Sequence, residues 1–409
     1  MNLSFGQNDS PAGERKCKVG RLKIMPQWFG FAIFFPVATL LYGGAHYYFY
    51  SWFVRLVEPP KKARRIFLYL FIFMVASFPV GKILGWRNFN AFNYWLNFIS
   101  AVWMGHAFYF FLFALASDLL IILARITGLG RKRWVRNPLF YKRALVVAVA
   151  GGVFIIGGYA LQEARSLRVT RLEIPLRGLP PELDGFSIVQ VSDIHYGMLT
   201  RNQELSRILG RVNDLQADMV VITGDLVDES VSHMEEMRIP LSRINSRYGV
   251  FAVTGNHEYY AGVDRAVAIM KAANIRVLRN EVQILPGGLQ ILGIDDPTGS
   301  KRMLQPAPDF QRLVSGIDPQ KPCILLYHQP IRFEITASLG IGLQLSGHTH
   351  GGQLFPVIYI SKRIYPRTPG LHKIGDSYLY VSWGVGTWGP PMRLKACPEL
   401  VYIRLRSPK

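Results

Sequence analysis

Val220-Val221-Ile222-Thr223-Gly224-Asp225-Leu226-Val227-Asp228 is the stretch that decides the reading of this chain. A short β-branched run reads as a buried strand, and here it ends in a glycine turn followed by an aspartate. The same grammar recurs through the second half. Ile188-Val189-Gln190-Val191-Ser192 runs into Asp193-Ile194-His195, and Phe251-Ala252-Val253-Thr254-Gly255 runs into Asn256-His257-Glu258. Ile324-Leu325-Leu326-Tyr327 runs into His328, and Gln344-Leu345-Ser346-Gly347 into His348-Thr349-His350. Residues 205–215 and 263–274 carry helical spacing between these runs. Residues 171–175 read as a first edge strand, and 289–294, 378–382 and 401–405 as later strands. Alternating strands and helices argue for an α/β domain. Ligands of open α/β sheets bind at the carboxyl ends of the strands. Five strand ends are therefore expected to deliver polar side chains to one place.

The residue types at those ends define a chemistry. Asp193, Asp225, Asn256, His195, His328, His348 and His350 supply a full oxygen and nitrogen ligand set for two metal ions. His257 is left over for proton transfer. Five of the nine histidines fall in these short stretches; any one alone would read as a structural histidine. Asp193 and His195 are two apart, as are His348 and His350, so on extended backbone each pair points to one face. The glycines at 224, 255 and 347 are expected to permit the turns that aim the side chains. Carboxylate and imidazole without thiolate suit Mn, Fe, Zn or Co. Two such ions about 3.5–4 Å apart clamp an in-line displacement at phosphorus and acidify a water enough to yield hydroxide near neutral pH. Asp225, in the middle of the set, is the natural bridge between them.

The first 162 residues are of another kind. The chain of 409 residues is 50% hydrophobic and 13% aromatic, and the apolar excess lies early. Residues 1–27 form a basic tail. Apolar runs follow at 28–54, 66–84, 95–124 and 144–161; the second is close to the ~20 residues that cross a hydrocarbon core, and the first and third are longer. The first of these either crosses or lies in the interface. The net charge of +20 suggests a nucleic-acid partner at first sight. However, residues 1–162 hold 19 Lys/Arg against 4 Asp/Glu, and residues 163–409 hold 28 against 23. The loops 55–65 and 125–143 carry five and seven basic residues. That is the positive-inside pattern of a membrane protein, and no nucleic-acid partner is expected. With both loops cytoplasmic, everything after residue 162 is expected on the extracytoplasmic side, the cytoplasmic side being the alternative. Three scattered cysteines exclude a disulfide framework or thiolate site. His106 and Asp118, inside an apolar run, read as interhelical polar contacts. His233 and His372 match no stretch and read as surface residues.

The ordered string D-x-H, G-D-x-x-D, G-N-H-E, H and G-H-x-H resembles the calcineurin-like metallophosphoesterase superfamily over residues 180–409. The resemblance implies an α/β/β/α sandwich with its metal site at the strand carboxyl ends. It also implies that Asp193, His195, Asp225 and His350 hold one ion, and that Asp225, Asn256, His328 and His348 hold the other. His257 would touch the phosphoryl oxygen and protonate the leaving group, and Asp228 would orient neighbours or shape a turn. Leu345–Gln353, Val277–Glu281 and the Gly384-Val385-Gly386 to Pro398-Glu399-Leu400 ending are similar to a membrane-attached bacterial subfamily. That subfamily includes exported phosphoesterases and a pyrophosphatase acting on UDP-2,3-diacylglucosamine.

The expected protein is thus a basic tail (1–27), a helical transmembrane region of three or four spans (28–162) and a metallophosphoesterase domain (163–409). It is expected in the plasma (inner) membrane, multi-pass. It would cleave a phosphoester, phosphodiester or pyrophosphate bond on a phosphorylated small-molecule or lipid-linked substrate, as a monomer or a homo-oligomer. A catalytically silent membrane metal-binding or signalling protein is the competing reading. A transporter ranks third, because only Lys82, His106 and Asp118 offer polar groups within the spans.

Overall fold

A computed structural model of the chain describes residues 27–87, 90–128, 138–229, 232–302 and 309–408. The expected basic tail, except Gln27, lies outside the described residues. The chain divides into two compact units, Met1–Leu41 and Tyr42–Lys409. All contacts described below lie within the second.

Among the described residues four helices come first: α1 (Gln27–Val57), α2 (Lys61–Arg87), α3 (Ala91–Ile126) and α4 (Pro138–Glu163). Among the described residues, Lys61–Gly85, Ala91–Ile126 and Leu139–Glu163 are long and apolar enough to cross a membrane. The side chain of Asn90 accepts from the Asn93 amide and caps α3. Leu119, Leu120, Ile122, Val147, Phe154 and Ile155 of α3 and α4 are all exposed. Water would not tolerate such a surface, but hydrocarbon would. Some polar residues of the helices pair with one another. Asp118 takes both the Arg55 guanidinium (2.6 Å) and the Tyr48 hydroxyl (2.8 Å) of α1, as an interhelical contact should. His106 instead donates from Nδ1 to Val102 O of its own helix, at 2.8 Å, with its ring against Gly157 of α4.

Among the described residues twelve strands follow, in two six-stranded sheets. They are β1 (Arg168–Pro175), β2 (Ser187–Val191), β3 (Met219–Ile222), β4 (Val250–Ala252), β5 (Ile275–Val277) and β6 (Glu281–Ile284). The rest are β7 (Gln290–Ile294), β8 (Cys323–Tyr327), β9 (Leu343–Ser346), β10 (Gly370–Ile374), β11 (Ser377–Val381) and β12 (Glu399–Arg406). The sheet orders are β1-β12-β2-β3-β4-β5 and β10-β11-β9-β8-β7-β6. Strands β2 to β5 run parallel, as do β7, β8, β9 and β11. Such strands are buried on both faces, which is why they read as unbroken apolar runs. Ile188, Met219, Val221 and Phe251 of one sheet pack on Ile291, Ile324, Leu326 and Leu345 of the other. Val189, Val220 and Ile222 turn the other way, onto Leu205, Ile208 and Val212 of α5 (Asn202–Asp214) and onto Val263 and Ile269. Leu292, Leu325 and Tyr327 pack on Phe310 at the far side. The layers are helix, sheet, sheet, helix: an α/β/β/α sandwich. Strands β5, β6 and β10 have no counterpart in the sequence reading. Two of them have only three or four residues, and β10 alternates half-exposed with exposed positions.

Candidate metal centre

The parallel register carries β2, β3 and β4 to a common end, and the chain leaves each strand by a tight turn. Asp193 N donates to Gly224 O (3.1 Å) and His195 N to Asp225 O (3.0 Å), so the first two turns are laced together. Asp193 in turn accepts the His348 amide at 2.9 Å, which ties in the turn after β9. Glu258 is fully buried and gathers three amides: those of Gly255 (2.6 Å), Asp225 (3.0 Å) and Val227 (3.1 Å). It locks the third turn to the second.

The local conformation differs from the expectation. Asp193 (φ 57°), His195 (54°), Asp225 (50°), His348 (74°) and His350 (47°) are all left-handed. The two-apart pairs converge by curling rather than by sharing one face of an extended stretch. A left-handed L-residue costs roughly 1–2 kcal/mol, and such strain gathers at functional sites. The glycines also divide into two kinds. Gly224 (φ 91°) is needed for its turn. Gly255 (φ −100°) and Gly347 are not left-handed; they are needed for space, since a Cβ would collide with Asp225 at the first and with Ser192 and Asp193 at the second.

The side chains form three overlapping groups: Asp193–His195–His350, His195–Asp225–His257 and Asp225–His328–His348. His195 Nε2 and His350 Nε2 are 2.9 Å apart, and His350 Nε2 is 3.5 Å from Asp193 Oδ1. Asp225 Oδ2 stands between two groups, 3.1 Å from His328 Nε2 and 3.9 Å from His195 Nε2. His348 Nδ1 is 3.3 Å from His328 Nε2. Asn256 begins the helix Asn256–Ala261 directly after β4, and its buried Oδ1 has no hydrogen-bond partner among the described residues. Carbonyls only accept, so they fix two tautomers. His328 Nδ1 donates to Thr223 O (2.7 Å) and His257 Nδ1 to Asp228 O (2.6 Å), and His328 Nε2 faces Asp225 Oδ2. Inward-facing acceptors, an orphaned amide oxygen and no thiolate fit divalent cations.

The electrostatics point the same way. Burial disfavours the Asp225 carboxylate, but the charges of His328 and His257 prevail and hold it well below the usual range. Burial would likewise lower His328; Asp225, Asp193 and Asp296 keep it well above an ordinary imidazole. His348 is driven down to about 3 by burial and by His328, and His350 falls well below its usual value through burial and His195. A cation must displace the His328 proton, so metal affinity is expected to keep climbing as pH rises above 6.5 rather than level off there. Metal titrations by calorimetry from pH 6 to pH 9 check this; a flat profile above pH 7 would contradict it.

Arg393, Tyr365, Lys82 and Glu258 have no expected role at the site, whereas Asp228 is expected to orient its neighbours. Arg393, fully buried, donates to Trp383 O (2.7 Å), Ala396 O (2.9 Å) and Gly386 O, and sets Nη2 2.9 Å from His350 Nδ1. Tyr365 places its hydroxyl 2.7 Å from His348 Nε2. Lys82 of α2 bridges to Glu229 (2.8 Å) and Asp228 (3.4 Å). Asp228 meets His195 Nδ1 at 3.2 Å through its carboxylate. Glu258 belonged to a quoted motif without a task. His233, expected at the surface, is buried: Nε2 bonds Gly197 O at 3.3 Å and the ring meets Tyr196. His372, on β10, bonds Thr368 O at 2.6 Å.

Residues 186–352 match the family model described as calcineurin-like phosphoesterase. A metallophosphoesterase of Campylobacter jejuni is 31% identical over 93% of this chain and 100% of its own length. This chain belongs to the calcineurin-like phosphoesterase family. One from Helicobacter pylori is 39% identical over 53% of this chain and 59% of its own. The Bos taurus protein named "Transmembrane protein with metallophosphoesterase domain" is 34% identical over 66% of this chain and 64% of its own. As a family member the chain is a metal-dependent phosphoesterase, and its clustered Asp and His residues are the groups that could hold divalent ions.

Proposed function

We propose that this phosphoesterase is a two-ion phosphohydrolase acting on a lipid-linked or membrane-proximal phosphoester, phosphodiester or pyrophosphate. The position of Asp225 Oδ2 between His328 and His195 carries the reading, because one carboxylate is shared by two ligand groups. Asp193, His195, Asp225 and His350 would hold one ion, and Asp225, Asn256, His328 and His348 the other. Mn, Fe, Zn and Co all suit the set. When bound, the pair supplies Lewis acidity at phosphorus and an acidified water.

The chain's own groups do the rest. His257 is anchored through Nδ1 and would give a proton from Nε2 to the leaving oxygen. Burial works against its charge, but Asp225 and Asp228 hold its pKa up at about 9, so it carries that proton at neutral pH. The rings of Tyr260 (5.1 Å) and Trp388 (6.3 Å) flank it. His257→Ala is expected to lower kcat by ~10²–10⁴-fold. Its rate should lose the alkaline decline while its metal content stays unchanged. A full metal content and an unaltered rate in the variant would remove His257 from the mechanism.

We place the protein in the plasma membrane, multi-pass, with 28–162 as membrane region and 163–409 as an extracytoplasmic catalytic domain. The basic loops 55–65 and 125–143 flank the ends of α2 and α4 remote from Lys82 and Ala160, which touch the sheets' side of the molecule. The test is hydrolysis of bis-p-nitrophenyl phosphate by the full chain in detergent with Mn²⁺. Turnover that a chelator abolishes is expected. A fully metal-loaded protein that cleaves no phosphoester would favour the silent metal-binding reading.

A further inference from the structure

The helix Ile358–Ile364 is short, and its exposed residues are mostly of one kind. Tyr359, Ile360 and Ile364 are 60%, 61% and 65% exposed, and Lys362 and Arg363 lie exposed among them. Three large apolar side chains on one turn and a half of helix, mixed with cations, is a poor surface for water.

Its surroundings say what covers it. Just before it, Leu354 and Val357 pack with Tyr109 and Phe110 of α3 and with Val149 and Val153 of α4. The Tyr109 hydroxyl donates to Phe355 O at 3.0 Å, and Arg393 N donates to Ala160 O of α4 at 2.9 Å. The helix therefore begins where the chain is sewn to two long apolar helices. Its height along them also follows. At 1.5 Å per residue α3 is about 54 Å long, whereas the hydrocarbon core is about 30 Å thick. Close approaches to the sheets' side run along the first half of α3: Tyr94 with Arg201, Met104 with Gly389, Gly105 with Met392 and Tyr109 with Phe355. Tyr109 is the last of these approaches, so the segment it holds sits at the border between the sheets' side and the remaining length of α3. Tyr, Ile, Lys and Arg on one short helix are the composition of an interfacial element, with cations suited to anionic headgroups. Lys395, 4.9 Å from the Phe355 ring, adds a further charge beside the same segment.

We propose that Ile358–Ile364 is a lipid-contacting helix that lies in the headgroup layer of an anionic bilayer, beside the catalytic site. The inference rests on α2, α3 and α4 crossing that bilayer. Its value to the enzyme lies in the next residue: Tyr365 touches His348 at 2.7 Å. Lipid contact and the site are thus one residue apart, and a phosphorylated lipid has only a short path between them.

The test uses the full chain in nanodiscs containing phosphatidylglycerol, with Cys17→Ser and Cys397→Ser and the buried Cys323 left in place. A single Ile360→Cys carries an environment-sensitive fluorophore, and headgroup-proximal and deep doxyl lipids serve as quenchers. Controls are Ile122→Cys on α3 and Ile284→Cys on the edge strand β6. The shallow quencher is expected to quench the Ile360 probe, the deep quencher the Ile122 probe, and neither the Ile284 probe. An Ile360 probe as unquenched as Ile284 while Ile122 is quenched overturns the proposal. So does an Ile360 probe shielded from water without lipid quenching, which would mean a protein partner. An unquenched Ile122 would instead strike down the membrane reading beneath it. Ile360→Glu with Ile364→Glu should raise KM for a phosphorylated lipid in vesicles by about tenfold. Its turnover of soluble bis-p-nitrophenyl phosphate should be unchanged. Equal effects on both substrates would also overturn the proposal.

Discussion

Asp225→Asn is expected to leave a folded protein whose phosphoesterase activity has fallen by ~10³-fold or more, the scale set by removal of one preorganised electrostatic group. The side chain keeps its shape, and Oδ1 still accepts the His257 amide, now at 2.9 Å. What goes is the charge of Oδ2, which faces His328 at 3.1 Å and His195 at 3.9 Å. Because that oxygen serves both ligand groups, its loss weakens both. Metal content by plasma mass spectrometry should fall together with the rate. Removing it also relieves a buried network: His328 owes its high proton affinity, against burial, first to Asp225. In the metal-free variant His328 should therefore titrate at lower pH, which NMR of the imidazole protons would read. Retained activity with full metal content would show that Asp225 is not shared.

Lys82→Met is expected to lower kcat by about 10–100-fold although Lys82 lies outside the phosphoesterase motifs, the range typical of groups that orient metal ligands. Lys82 meets Glu229 and Asp228, and Asp228 in turn holds His195 Nδ1 by its carboxylate and His257 Nδ1 by its carbonyl. Burial would push the Asp228 carboxyl up. Lys82 foremost, then His195 and His257, hold it well below its usual value. A depressed carboxylate loses its contribution as pH falls through its folded pKa. Without Lys82 that pKa rises, so the acid limb of activity should move to higher pH. Lys82→Arg keeps the charge and should restore both rate and limb. A merely structural loss would lower the folded fraction without moving the pH profile. If Lys82→Met keeps the wild-type rate and profile, the membrane helix does not tune the site.

The ligand residues were legible because each follows an apolar strand, and parallel strands buried on both faces cannot hide their polar ends. Val220–Ile222 running into Asp225 is a pattern that local chemistry alone produces. The left-handed turns at Asp193, His195 and His350 were not legible, since Asp and His merely tolerate that conformation. The close approaches at Gly255 and Gly347 were invisible for a different reason: they are set by Asp225 and Ser192, side chains distant in sequence. Lys82 lay hidden in an apolar helix that composition assigned to lipid. Arg393 follows two prolines and a methionine between the two ends of the Gly384–Leu400 stretch, and its role exists only once β2 and β9 bring His350 to it. His233 looked like a surface residue because nothing near it in sequence shows that Tyr196 and Gly197 cover it. Local pattern reports strand ends well; partners supplied by another layer need the tertiary structure.

Anomalous diffraction from crystals of the Mn²⁺-loaded, active protein would locate the ions outright. Two peaks about 3.5–4 Å apart, with Asp225 between them and Asn256 beside one, are the predicted result. A single peak, or two peaks away from Asp225, in protein that hydrolyses a phosphoester at full rate would contradict the account.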